Sequence, residues 1–199
     1  MKDREKTEII LKALEHRQRF YGDVFLPELR LGSGFSDVAQ RRIDLFAISS
    51  QKGNYTTAYE IKVSRADFLK DIKNDLKQRG ARLYSSNFYY VAPKDMIKTE
   101  EIPVWAGLME YDFESRIFRI KVPAPLQSRN TPSWSLICSI VRKVNQQLYI
   151  EKMLEANNLA EYWKREYDSK IKELKQVANI KDETLLKLIL NKYKENEEN

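Results

Sequence analysis

The chain has one cysteine and one histidine in 199 residues. A lone cysteine, Cys138, excludes an intramolecular disulfide. It stands in the apolar run Leu136 to Val141, where a small buried core residue is expected. A nucleophilic thiol would want a histidine partner, and His16 lies far away in an amphipathic N-terminal stretch. One cysteine and one histidine cannot build an ordinary structural zinc site. Long apolar runs are also missing: none approaches the roughly 20 residues needed to span a bilayer. The opening segment MKDREKTEIILK is charged and lacks a signal-peptide core, so a cytoplasmic location is expected. Acids are outnumbered by bases, 29 against 35, for a formal net charge of +6. That balance points weakly towards nucleic acid or another polyanion.

What is present suits an α/β domain with helical appendages. Residues 4–20 carry apolar positions at helical spacing, closed by Gly22. Phe25 to Leu31 alternates like a strand. Gly32-Ser33-Gly34 has loop glycines but no following Gly-Lys-Ser/Thr, which excludes a P-loop. Residues 42–49 and 56–63 read as strands around the turn Gln51-Lys52-Gly53-Asn54. The first of these should place Ile43, Leu45 and Ala47 on one face and Asp44, Phe46 and Ile48 on the other. Ser64 is expected to cap a helix, with Asp67 completing the cap, Leu69, Ile72 and Leu76 as its apolar stripe and Gly80 as its stop. Residues 87–91 form a further strand, and 105–111 with 116–122 a hairpin. After the linker at Pro123 and Pro125, Thr131-Pro132 should open a long helix with an irregular heptad seam that includes Ile150, Leu154, Trp163 and Tyr167. Asp182 can cap a last helix. The expected division is a domain over residues 1–127 and a helical extension over 128–199.

The chemistry concentrates in Asp44 and the triplet Glu60-Ile61-Lys62, a hairpin's length later. Glu60 and Lys62 alternate onto one strand face, and Asp44 on the neighbouring strand can lie beside Glu60. Two carboxylates that close repel unless a cation lies between them. Oxygen ligands suit Mg²⁺ or Mn²⁺, and the Ile61 carbonyl can add another. Such a metal lowers the pKa of a bound water, and Lys62 would add positive charge beside a scissile phosphate. The spacing alone fits a salt-bridged hairpin better. Two features favour the site: Asp44 sits in an otherwise apolar strand, where an unpartnered carboxylate is costly, and a helix N-terminus, which attracts phosphate, follows Lys62. Arg42, Ser64, Arg65, Lys70, Lys73 and Lys77 are the expected nucleic-acid contacts, a solvated helix face being the ordinary alternative.

These residues resemble the PD-(D/E)XK nuclease superfamily. More narrowly, Arg41-Arg42-Ile43-Asp44, Tyr59-Glu60-Ile61-Lys62 and Ser64-Arg65-Ala66-Asp67-Phe68 are similar to the MmcB-like DNA repair proteins and their phage relatives, as are Pro103 and Gly107-Leu108-Met109. The likeness covers about residues 20–125. It implies a restriction-endonuclease-like mixed sheet flanked by helices, with Asp44 and Glu60 as metal ligands and Lys62 as the catalytic lysine. Ile43 replaces the superfamily's nominal proline. Many members carry a further acid upstream, for which Glu28 is the first candidate and Glu8 or Glu15 the fallback; a salt bridge of Glu28 to Arg30, Arg41 or Arg42 is the competing reading. The implied activity is a metal-dependent deoxyribonuclease in repair, restriction or phage DNA metabolism. The alternative is a non-catalytic DNA-binding or adaptor module on the same fold. The C-terminal helices form either a homodimer or partner-docking arm, or an element packed on the domain.

Overall fold

The structure is a computed structural model of the whole chain; it describes residues 1–31, 42–51, 53–74 and 77–178. Gly32-Ser33-Gly34, Arg41, Lys52, Leu76 and the Asp182-capped helix lie outside the described residues. The chain divides into two compact units, residues 1–145 and 146–199. The division falls later than the expected 127/128 boundary because Leu136, Ile140 and Val144 join the core of the first unit.

The first unit begins with α1 (Asp3–Phe20), followed by β1 (Val24–Arg30), β2 (Arg42–Ile48) and β3 (Thr56–Ile61). Next come α2 (Arg65–Ile72), α3 (Arg79–Tyr84) and β4 (Asn87–Pro93); β5 (Gly107–Asp112), β6 (Ile117–Val122) and α4 (Trp134–Ala178) complete the described elements. One six-stranded sheet takes the strands in sequence order. Pairings β1–β2, β2–β3 and β5–β6 are antiparallel, while β3–β4 and β4–β5 are parallel. The fold is therefore α/β: a mixed sheet flanked by helices, with a long C-terminal helix.

Each face of the sheet buries its own core. On one, Ile10 and Leu14 of α1 pack on Leu45, Ala47, Tyr59, Ile61, Val91 and Met109. On the other, Phe68 of α2, Ala81 of α3 and Leu136 of α4 pack on Phe46, Ala58, Phe88, Tyr90 and Leu108. Strand alternation sorts the chemistry between the two: Tyr59 and Ile61 turn towards α1, so Glu60 and Lys62 turn towards α2. β5 is buried almost throughout, as expected of a strand with neighbours on both sides. The edge strand β6 carries Arg119 and Lys121, charges that discourage further strand pairing.

Four sequence expectations are corrected. The helix opened at Ser64 does not run to Gly80; it ends at Ile72 and the chain restarts as α3. Asp71 explains the break. Its buried carboxylate takes the Gln78 amide at 2.9 Å and ion-pairs with Lys77, so the chain must fold back within a few residues. Gly80 lies inside α3, where a Cβ would stand 2.7 Å from Leu31 Cδ1; close packing, not helix termination, uses that glycine. The long helix starts at Trp134, and Ser133 Oγ accepts the Leu136 N–H at 3.2 Å, so Ser133 takes the capping role assigned to Thr131. Cys138 is exposed, not buried, because the helix spends its inward positions on Leu136 and Ile140. Ile43 also departs from the expected face: it joins Phe46 in the α2-side core. Glu28 of β1, between the Pro27–Leu45 and Leu29–Ile43 pairs, has φ of 50°, a left-handed step in the strand beside it.

Gly107 gives a direct test of the parallel packing. A Cβ there would stand 2.6 Å from the Ala124 backbone nitrogen and 2.5 Å from the Tyr89 ring. Gly107→Ala should destabilise the protein by about 1–3 kcal/mol; a urea midpoint equal to wild type would show that β5 and the linker after β6 separate without cost. Among the described residues, no helix is long and apolar enough to cross a membrane.

Candidate metal and nucleic-acid site

The β2–β3 ladder stops at Leu45–Tyr59. One step further along the same register lie Asp44 and Glu60. With no strand partner left on β2, the Ile61 N–H donates instead to Asp44 Oδ2 at 2.7 Å. The carboxylate thereby closes the fraying end of the ladder and is held beside β3. On the other side the Lys62 N–H still bonds the Val91 carbonyl at 2.8 Å, so the β3–β4 pairing fixes the triplet. Glu28 faces Asp44 in the β1–β2 register, and Tyr90 pairs with Glu60 across β3–β4. Glu28, Asp44, Glu60 and Tyr90 thus form one row across four strands.

Lys62 is the centre of this row's electrostatics. Its ammonium stands 2.9 Å from Glu60 Oε1, 3.3 Å from Asp67 Oδ2 and 3.5 Å from Asp71 Oδ1. Its side chain is only 4% exposed. Burial alone would pull its pKa down, but the Glu60, Asp71 and Asp67 charges outweigh it and the pKa rises. Lys62 is therefore an ammonium at every physiological pH and cannot serve as a base.

The carboxyls respond in opposite directions. Glu60 is pushed up to about 7, by burial first and by the Asp44 charge second, with Lys62 opposing. Asp44 is also raised by burial, against the Ile61 N–H and Lys62; the nearby Glu28 charge adds to the rise. Asp71 is lowered: burial works against its ionisation, but Lys77, Gln78 and Lys62 more than offset it. Its Oδ2 also accepts the Tyr90 hydroxyl at 3.2 Å. Asp71, Gln78 and Tyr90 were missed in the sequence. The one available signal was that Asp71 falls a helical turn after Asp67, on the face turned to Lys62.

The other expected site residues divide. Glu28 is exposed and lies 3.6 Å from Arg42, so the competing salt bridge forms, yet it remains opposite Asp44. Glu8 pairs with Lys12 at 2.8 Å, and it and Glu15 belong to α1, which packs on the opposite face. Arg65 is spent on Glu101 and the Met96 carbonyl, and Lys77 on Asp71. Ser64 makes no side-chain cap bond; Phe68 N–H bonds its backbone carbonyl at 3.1 Å. Asp67, expected to complete that cap, turns to Lys62 instead. Lys70 and Lys73 are exposed and, among the described residues, enter no ion pair.

The donor set fits a hard divalent cation in part. Asp44 and Glu60 are adjacent acidic oxygens, and only one oxygen of each is used by the bonds to Ile61 and Lys62. Among the described residues, however, no three His, Cys, Asp or Glu side chains converge into a ready metal cluster. A cation here would rest on two carboxylates, with the Ile61 carbonyl and waters completing its shell.

In the second unit, the α4 residues Leu148, Tyr149, Met153, Leu154, Leu159, Tyr162 and Trp163 are all exposed.

No protein-family description matches the chain, and no curated protein matches it. Among solved structures it is similar to the SPO1766 protein of unknown function from Silicibacter pomeroyi, with 22% identity and a TM-score of 0.50 over 69% of this chain and 83% of that one. At that identity the likeness shows the fold alone.

Proposed function

We propose that the protein is a metal-dependent deoxyribonuclease of the PD-(D/E)XK kind, acting on DNA in the cytoplasm. One observation carries the reading. Half-buried Asp44 and buried Glu60 stand close together at a ladder end, and their repulsion helps push Glu60 to about 7. The pairing only partly offsets their charge: Asp44 holds the Ile61 N–H, and Glu60 shares the Lys62 ammonium with Asp67 and Asp71. Mg²⁺ or Mn²⁺ bound there would offset their charge and supply an activated water. Asp44 is already oriented by the Ile61 N–H, and Glu60 by the Lys62 ammonium, so little reordering is needed on binding. Lys62, fixed as a cation, would stabilise negative charge developing on a phosphate. Lys70 and Lys73 are the exposed charges available to the DNA backbone.

The test is cleavage of single-stranded, duplex and branched DNA with each metal. Wild type should cut at least one of the three, and Asp44→Ala should lose at least about 100-fold. If clean wild-type protein leaves all three uncut with both metals, the nuclease reading is wrong.

A second reading has its own support. Lys62 already carries two further carboxylates, Asp67 and Asp71, which is what a purely structural lysine would do. A non-catalytic DNA-binding or adaptor module would show salt-sensitive DNA affinity that Asp44→Ala leaves unchanged, with no cleavage.

A further inference from the structure

On the α1 face of the sheet, away from the carboxylates, a pocket of about 240 Å³ opens between the end of α1 and the adjoining ends of β2 and β3. That is below the roughly 300–1,000 Å³ of drug-sized sites, so it suits a compact ligand. Its chemistry is built around the buried Tyr59 hydroxyl, which is only 4% exposed as a residue. Gln18, equally buried, donates its amide to that oxygen at 2.9 Å. The Arg17 guanidinium lines the same pocket, 5.0 Å from the Tyr21 ring centroid, and its charge acts on the phenol. A phenol has two acceptor lone pairs and one proton. The Gln18 amide takes one lone pair, and among the described residues no acceptor receives the hydroxyl's proton. The pocket therefore offers an unspent donor beside a guanidinium, a pair that calls for a ligand oxyanion. Asp23 also lines it, its carboxylate holding the Ser50 N–H at 3.3 Å; that end repels an anion and suits a ligand N–H. Tyr21 and Tyr55 complete the walls with rings about half exposed, surfaces on which a planar ring can stack.

We propose that this pocket binds a mononucleotide, its phosphate on Arg17 and Tyr59, its base against Tyr21 or Tyr55 with an amino group towards Asp23. The proposal does not depend on the nuclease reading, because Tyr59 and Glu60 point to opposite faces of β3. The same chemistry could come from a free nucleotide or from the 5′-phosphorylated end of a strand.

Titration of the full-length protein by NMR with the four deoxynucleoside 5′-monophosphates, a 5′-phosphorylated oligonucleotide, the matching nucleosides and inorganic phosphate tests it. A monophosphate or a phosphorylated end should bind more tightly than nucleoside or phosphate alone. Which of the two binds identifies the source. Arg17→Gln, at a half-exposed position, and Tyr59→Phe should each weaken binding at least tenfold, and Glu60→Gln should leave it unchanged. The idea is overturned by no binding of either probe at millimolar concentration, by phosphate alone binding as well, by full affinity in Arg17→Gln, or by loss of binding in Glu60→Gln.

Discussion

Lys62→Met is expected to cost about 3–5 kcal/mol of folding free energy, the range for breaking a buried ion pair from one side. The methionine matches much of the lysine's volume, so the loss is electrostatic and not a cavity. The three contacts do not contribute alike. Asp67 is 57% exposed, so water screens it and that pair is worth little. Glu60 and Asp71 are 10% and 0% exposed at the side chain, and they would be left without this cation. Asp71 retains Lys77, Gln78 and Tyr90; Glu60 retains nothing comparable and would take up a proton. In a unit of this size the expected fall in Tm is roughly 6–20 °C. Thermal unfolding near pH 7 measures it. A fall under about 2 °C would mean that the Lys62 network is solvated and not buried. A wild-type-like Tm in Asp67→Asn, beside a large fall in Lys62→Met, would confirm the ranking of the partners.

Between pH 4.5 and 7 the metal-free protein should lose stability as pH rises. The sign follows from Glu60, whose folded pKa of about 7 lies above its ordinary value of 4.5. In that window the native state holds a proton that the unfolded chain has released, so unfolding becomes easier with each step upward. The penalty is absent below 4.5 and complete above 7, and amounts to at most about 3 kcal/mol. Asp71 acts in the opposite sense at acid pH: its lowered pKa contributes stability above the ordinary aspartate range that is lost as pH falls through its folded value. Glu60→Gln should therefore flatten the profile between 4.5 and 7 while leaving the acid limb in place. Under the metal reading, millimolar Mg²⁺ should raise stability near pH 7 more than near pH 5, since only the ionised carboxyl attracts it. Urea midpoints across that pH range, with and without Mg²⁺, check both. A wild-type curve that rises from 5 to 7 without metal would show that Glu60 is solvated and its pKa ordinary.

Much of the site was legible locally because strand alternation is a local rule. An acid in the apolar run of β2 and Glu-x-Lys at the end of β3 sufficed to align Asp44, Glu60 and Lys62, and the two-residue period put them on a shared face. The two hairpin pairings, β2–β3 and β5–β6, also followed from short connections. The legible part ended where a residue's role depended on who came near it. Arg65 and Lys77 read as exposed phosphate ligands, but Glu101 and Asp71 claimed them from other segments. Cys138 read as core from its apolar neighbours, yet helical geometry turned it outward.

Sequence by itself determined the α/β class, the sheet's strands and the carboxylate–lysine trio, since each rests on hydrophobic period and residue type within one or two neighbouring segments. Tertiary structure alone decided that Lys62 is shared among Glu60, Asp67 and Asp71, that the helix after Ser64 breaks at Ile72, and that Gln18 meets the Tyr59 hydroxyl in a pocket that Arg17 also lines. The reason is the same in each case: a buried polar group must find partners wherever the fold brings them, and no spacing along the chain records which distant side chain that will be.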